Sequence, residues 1–369
     1  MATVNFIPGV QLNGMFYDEI VKPILAQYFP GLTYSAALIG SGSDVLGFDT
    51  PRSMDHNWGP RLQLFLSPPD LDRYRDELRE CLRQKLPRTF RDFSVNFSQP
   101  DLSDGGTQIM QTSKCGPVNH LVEVRTVQGF FHHSLGIDLS AEITPIDWLT
   151  FPEQALLEIT RGKVYHDGLV LESIRAKFAY YPRDVWLYRM ASQWQRISQE
   201  EPFVGRCGDL GDDIGSRLIA AHLVRDSMRL GFLIERQYAP YSKWLGTAFA
   251  RLDCAKELTP IFARALAANE WQAREAALCD AYVILAEIHN ALEITTRVEP
   301  EITNFFGRPY RVIFARRFVQ AIRDAIADET LKRLALIGGI DQFSDNTDLI
   351  EDPRLTYRTH ILYPMEQQT

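Results

Sequence analysis

The sequence predicts an α+β domain followed by an all-helical domain, and three observations carry that reading. Short apolar–polar alternations bounded by Gly, Pro and Ser recur through the first 170 residues. From about residue 171 the apolar spacing changes to the helical period and stays there. A chain of 369 residues also exceeds the usual size of one domain. The expected division is residues 1–170, 171–350 and a frayed tail at 351–369, with a cleft between the two domains.

The elements follow in order. Phe16, Ile20, Val21, Ile24 and Leu25 repeat at helical spacing, with Pro23 inside the pattern as a point of kink or break. Leu32 to Ile39 reads as the first strand and Leu62 to Leu66 as another. Ser67-Pro68-Pro69-Asp70 is a turn and N-cap signal before an amphipathic helix over 71–86. Phe93 to Phe97, His120 to Val127 and Gly162 to Asp167 read as further strands. Helical segments are expected at 184–199, 214–238, 257–269, 271–292 and 315–328.

The chemistry concentrates in LIGSGSDVLGFDTPRSMDHNWGPRLQLFL, residues 38–66. Gly40, Ser41, Gly42 and Ser43 follow an apolar strand end. Such a turn at a helix N-terminus aims main-chain N–H groups and a hydroxyl at an anion. Asp55 lies twelve residues beyond Ser43 and Asn57 two further; on a strand these two side chains would share a face. The spacing therefore reads as a phosphate site. The alternative is a polar turn with an Asx cap at Asp55 before a buried strand.

A second cluster lies in the helical half. PFVGRCGDLGDDIGSRL presents Asp209 and Asp213 from a glycine-rich loop, ahead of Arg217 and Arg225. YAPYSKWLGTAFARL sets Lys243 among aromatics that include Tyr241. Mixed basic and aromatic surfaces suit phosphates and bases; an amphipathic helix with snorkelling cations gives the same letters.

Composition narrows the classes. A net charge of −8 argues against a general DNA- or RNA-binding surface while leaving room for a local basic groove. The five cysteines include no Cys-x-x-Cys pair, which fits a reducing cytoplasm and buried, inert thiols. No zinc-ligand spacing, signal peptide or membrane-length apolar run is present, so a cytoplasmic protein without a membrane partner is expected.

The Gly-Ser and Asp-x-Asn pattern resembles the signature of the nucleotidyltransferase superfamily that includes aminoglycoside nucleotidyltransferases, DNA polymerase beta and the CCA-adding enzymes. That signature ends in two acids on a strand; Asn57 stands where the second belongs. The resemblance implies a third carboxylate from a later strand, for which Glu123 in HLVEVRTV is the candidate. Longer segments are similar to a nucleotidyltransferase-like family catalogued only as a domain of unknown function. They include ITPIDWL, YPRDVWLYRMASQWQRI, GRCGDLGDDIGSRLIAAHLVRD, YAPYSKWLGTAFARL, HNALEIT and LIGGIDQFSDNTDL. The fold so implied is a small mixed sheet with helices, then a helical domain. Within that family the chain resembles the fungal arginine-containing cyclodipeptide synthases, which make cyclo(Arg-Xaa) from aminoacyl-tRNAs.

That narrower resemblance implies an aminoacyl-tRNA-dependent cyclodipeptide synthase needing no cofactor. Arg61, Arg217, Arg225 and Lys243 would meet phosphates, beside the Ser41-Gly42-Ser43 turn. Asp55, Asn57 and Glu123 would surround the reacting groups. An acid among Asp55, Glu123, Asp209 and Asp213, buried without a protein cation, would hold the guanidinium. Two other readings stand beside it: a nucleotidyltransferase using ATP and Mg²⁺ through Asp55 and Glu123, and an inactive binding scaffold.

Overall fold

The computed structural model describes residues 5–363. The chain divides into two compact units. One runs up to Glu142 and includes Ala155–Ala179; the other holds Ile143–Gln154 and the residues from Tyr180 on.

The first unit is built on a four-stranded mixed sheet. Its strands are β1 (Tyr34–Leu38), β2 (Arg61–Leu66), β3 (Leu121–Arg125) and β4 (Lys163–Asp167), in the order β3-β2-β1-β4. β1 runs antiparallel to both neighbours, whereas β2 and β3 are parallel. A parallel pair needs a long crossover, and it contains helix α1, Pro68–Lys85. Ser67 caps α1 by accepting the Asp70 N–H, as the Ser-Pro-Pro-Asp signal predicts. Leu12, Phe16, Ala36, Leu62, Leu64, Leu78 and Leu82 are buried in the core against the sheet.

Before β1 the chain is helical over Gly9–Phe16 and Lys22–Tyr28, joined by a π-helical turn at Tyr17–Val21. Pro23 occupies the first turn of the second piece, where a missing N–H is tolerated. The strand expected at 93–97 shrinks to a two-residue pairing of Phe93–Ser94 with Thr89–Phe90. Asn96 and Phe97 instead bond to the loops at Gln111 and Asn119.

The second unit is helical, as the periodicity predicts. Helix α2 (Arg183–Glu200) packs against α4 (Asp213–Ile234), which is preceded by the short helix α3 (Phe203–Asp209). Helix α5 spans Ser242–Phe249 and α6 Trp271–Ala291. One two-residue hairpin, Thr303–Asn304 with Arg311–Val312, interrupts the helices. Residues 143–154, which patterning assigns to the first domain, belong here because Glu153 is buried on this unit. Its carboxylate accepts hydrogen bonds from Arg189 at 2.7 Å, Tyr181 and the Ala239 N–H.

The expected frayed tail is ordered as far as it is described. Pro353–Arg358 and Thr359–Leu362 are helical, and Tyr363 is 3% exposed with its hydroxyl donating to Gly338 O. The remainder, 364–369, lies outside the described residues. Among the described residues no helix is long and apolar enough to cross a membrane.

Candidate functional site

The site begins where β1 ends. Gln63, buried on β2, donates to Ile39 O and accepts from Ile39 N–H, fixing the residue before Gly40 to the sheet. Gly40 and Gly42 have φ of +89° and +139°, conformations that glycine adopts without strain. A Cβ at Gly42 would lie 2.5 Å from Arg61 Nη2 and collide with Asp44. The loop then makes one turn over 43–47, closed by Leu46 N–H to Gly42 O and Phe48 N–H to Ser43 O. No helix follows, so the helix N-terminus expected after the Gly-Ser turn is replaced by a single turn.

Beneath this loop lies an ion pair that patterning missed. Asp44 is 2% exposed, and its Oδ1 accepts from Arg61 Nη2 at 2.7 Å and from Val45 N–H. Arg61 also donates to Ser41 O at 3.2 Å. Arg61, Ser41 and Gly42 are therefore brought together, but Arg61 is already neutralised. Among the described residues the N–H groups of Ser41, Gly42, Ser43 and Asp44 have no protein acceptor. Main-chain N–H groups left without a protein acceptor in a loop can meet an anion oxygen.

Asp55 and Asn57 do not stand on a strand. Thr50 caps a short 3₁₀ turn, Pro51–Asp55, and β2 begins only at Arg61. The two side chains thus do not share a strand face as the spacing predicts. Asn57 has φ +47°, and its side-chain oxygen accepts the Gln108 N–H at 2.9 Å. Asp55 instead meets His56, with Nδ1 3.1 Å from the carboxylate, both side chains more than half exposed. His56 was not singled out by the sequence, although it sits inside the motif.

Glu123 lies on edge strand β3, in register with Gln63 across the parallel pair. It therefore shares the face that carries the Gly-Ser turn's anchor. Its carboxylate is exposed and 3.7 Å from Arg125. Among the described residues no three His, Cys, Asp or Glu side chains are grouped to hold a metal ion. With the Asn57 side-chain oxygen engaged by Gln108 and Asp55 off the strand, these residues do not present the paired strand carboxylates that the superfamily resemblance implies.

The candidates of the second unit are each engaged. Asp209 accepts from the Tyr310 hydroxyl at 3.1 Å. Asp213 is held by Arg217 and Arg274, whose hydrogen bonds keep its carboxyl below the usual range. Arg225 pairs with Asp345 at 2.7 Å, and Lys243 rests over the Trp244 ring. Tyr241 packs edge-on against Trp244 and donates its N–H to Gln154.

None of the four acids proposed for a guanidinium is both buried and without a protein cation. Two other acids come closer. Glu201, 5% exposed, accepts the N–H groups of Ile313 and Ala315, and burial pushes its pKa up to about 7. Glu275, also 5% exposed, has no hydrogen-bond partner at Oε1; burial likewise pushes it up to about 7, against the nearby main chain and charge of Arg311. Both sit in helical stretches that patterning alone cannot tell from solvent faces. Burial also raises the Cys81, Cys254 and Cys279 thiols, in keeping with inert cysteines.

The family model described as Domain of unknown function (DUF4037) matches residues 148–245. That range holds α2, α3 and α4 and supports the family resemblance over those segments. No curated protein matches the chain. Among solved structures, a nucleotidyltransferase-like protein from Exiguobacterium sibiricum 255-15 is similar at 11% identity, over 80% of this chain and 82% of that one, with a TM-score of 0.33.

Proposed function

We propose that this chain is an aminoacyl transferase that condenses two aminoacyl-tRNA esters into cyclo(Arg-Xaa). The observation that carries this reading is the run of main-chain N–H groups at residues 41–44 without a protein acceptor, beside an arginine already neutralised by Asp44. Such N–H groups suit a single phosphate oxygen and bring none of the surplus charge that a triphosphate demands. Asn57 spends its oxygen on Gln108 instead of facing Asp55. An aminoacyl ester is already activated, so its chemistry needs positioning and a proton acceptor rather than two metals.

In the reaction the α-amine of one aminoacyl group attacks the ester carbonyl of the other. The ester C–O bond breaks, and the ribose hydroxyl leaves with a proton. The remaining amine then attacks the second ester, closing the six-membered ring and freeing the second tRNA. His56 is the group suited to take the amine proton. Asp55 accepts the His56 main-chain N–H and its carboxylate lies 3.1 Å from Nδ1, while among the described residues Nε2 has no partner. Asp55 then acts as the orienter of the imidazole, a narrower role than the metal ligand of the superfamily signature.

The test is mass spectrometry of small molecules released when the protein is expressed in a host with ordinary charged tRNAs. Cyclo(Arg-Xaa) is expected from the wild type. His56→Ala and Asp55→Asn should each lower output by about 100-fold or more, the range for losing a positioned acid–base group. No arginine-containing product would overturn this reading; transfer by the purified protein that requires ATP and Mg²⁺ would favour nucleotidyl transfer instead.

A further inference from the structure

The first unit carries a second polar site, away from the Gly-Ser loop in sequence. A cleft of about 440 Å³ has Arg79, Arg83, Phe97, Gln99, Gln111 and Asn119 in its lining. Arg79 and Arg83 lie one turn apart on α1, about 6 Å along the axis at ~1.5 Å per residue. Arg75 continues the same row. Between residues 73 and 88 the chain holds six cations against three acids, a local excess in a protein of net charge −8. Among the described residues the Arg75 and Arg79 guanidinium groups have no carboxylate partner, and Arg83 has only the exposed Glu80 at 3.1 Å.

The floor is built rather than accidental. Asn119 donates to Phe97 O at 3.0 Å and Ser98 O at 2.8 Å, and its own N–H is held by Asn96 Oδ1 at 2.9 Å. Val118 N–H bonds Arg83 O, tying the loop to α1. His120 Nδ1 accepts the Val122 N–H, so Nε2 carries the hydrogen donated to Arg79 O. Burial and the two arginines keep that imidazole neutral, with its pKa down to about 4. It therefore braces the arginine-bearing turn without adding charge. At the mouth, the side-chain amides of Gln99 and Gln111 have no partner among the described residues.

We infer that this cleft binds a single-stranded RNA segment, with adjacent phosphates on Arg79 and Arg83 and an unpaired base edge on the Gln99 and Gln111 amides. Each amide offers a donor and an acceptor together, the pattern that reads a base edge. Phe97 is 2% exposed and forms floor rather than a stacking platform. Recognition here is by hydrogen bonds, which requires a base not already paired in a helix. The identity of the strand as part of a charged tRNA rests on the function proposed above; the arginine row and amide mouth do not.

The experiment is fluorescence anisotropy of the full chain with a labelled single-stranded RNA ending in CCA, over 50–200 mM salt. The variants are Arg79→Gln/Arg83→Gln and Arg79→Glu/Arg83→Glu, all four changes being at exposed positions, with melting temperature checked beside each. Losing two phosphate contacts should flatten the slope of log K against log salt by about 1.4. A fourfold rise in salt should then cost the wild type about sevenfold more affinity than the Gln variant. Unchanged affinity and slope in both variants would overturn the inference. So would displacement of the RNA by equimolar inorganic triphosphate, which would mark a small-anion site. RNA binding through these arginines with no cyclic dipeptide formed keeps the cleft and removes the proposed activity. Cyclic dipeptide formed with unaltered RNA affinity does the reverse.

Discussion

Replacing Glu275 by Gln should change the pH dependence of stability in one direction only. Glu275 is nearly inaccessible, its Oε1 has no hydrogen-bond partner, and burial moves its carboxyl from 4.5 to about 7. Between those values the folded protein keeps a proton that the unfolded chain has lost. Stability from this group is therefore complete below about pH 4.5, falls as pH rises, and is gone above about pH 7. The displacement corresponds to about 3 kcal/mol. Glutamine does not titrate, so the variant lacks this loss. For a helical unit of this size, 1 kcal/mol moves the melting temperature by about 2–4 °C. The variant should thus gain roughly 6–12 °C on the wild type between pH 4.5 and 8. Any constant offset from packing the amide cancels in that comparison. Differential scanning calorimetry of both proteins across this range measures it directly. Parallel profiles with a constant gap would refute the reasoning, because Glu275 would then be ionised and solvated in the folded protein.

Four further outcomes follow from the geometry. Arg61→Ala leaves Asp44 buried with only the Val45 N–H, and should cost about 3–5 kcal/mol in urea unfolding; the double change Asp44→Asn/Arg61→Met should recover most of it. Glu153→Ala removes the shared acceptor of Arg189, Tyr181 and Ala239 and should cost a similar amount, about 3–5 kcal/mol; a loss below about 1 kcal/mol would show that the network is not a coupled one. Asn57→Ala combines a positive φ with a lost bond to Gln108 and should cost about 1–3 kcal/mol. Asn57→Asp, which keeps the oxygen, should leave cyclo(Arg-Xaa) output near wild type in the presence of EDTA, and a requirement for Mg²⁺ would contradict the proposed chemistry.

Much of the scaffold follows from local sequence. The helical period of residues 184–199, 271–292 and their neighbours places apolar side chains on one stripe, and helices form there. Alternation and turn residues bracket β1, β2 and β4 within a few positions. The Gly-Ser turn was likewise legible, since positive φ and close approach require glycine at Gly40 and Gly42. Tertiary structure decided the rest. Whether Asp44 or Asp55 goes inside depends on a partner seventeen residues away, Arg61, and no local preference encodes that pairing. The same holds for Asp213, claimed by Arg274, and for Glu153, which draws 143–154 onto the helical unit. A charged side chain looks alike in sequence whether it is solvated, paired or buried. Its role is set by the dielectric around it and by the charges that the rest of the chain delivers, and those exist only once the fold has closed.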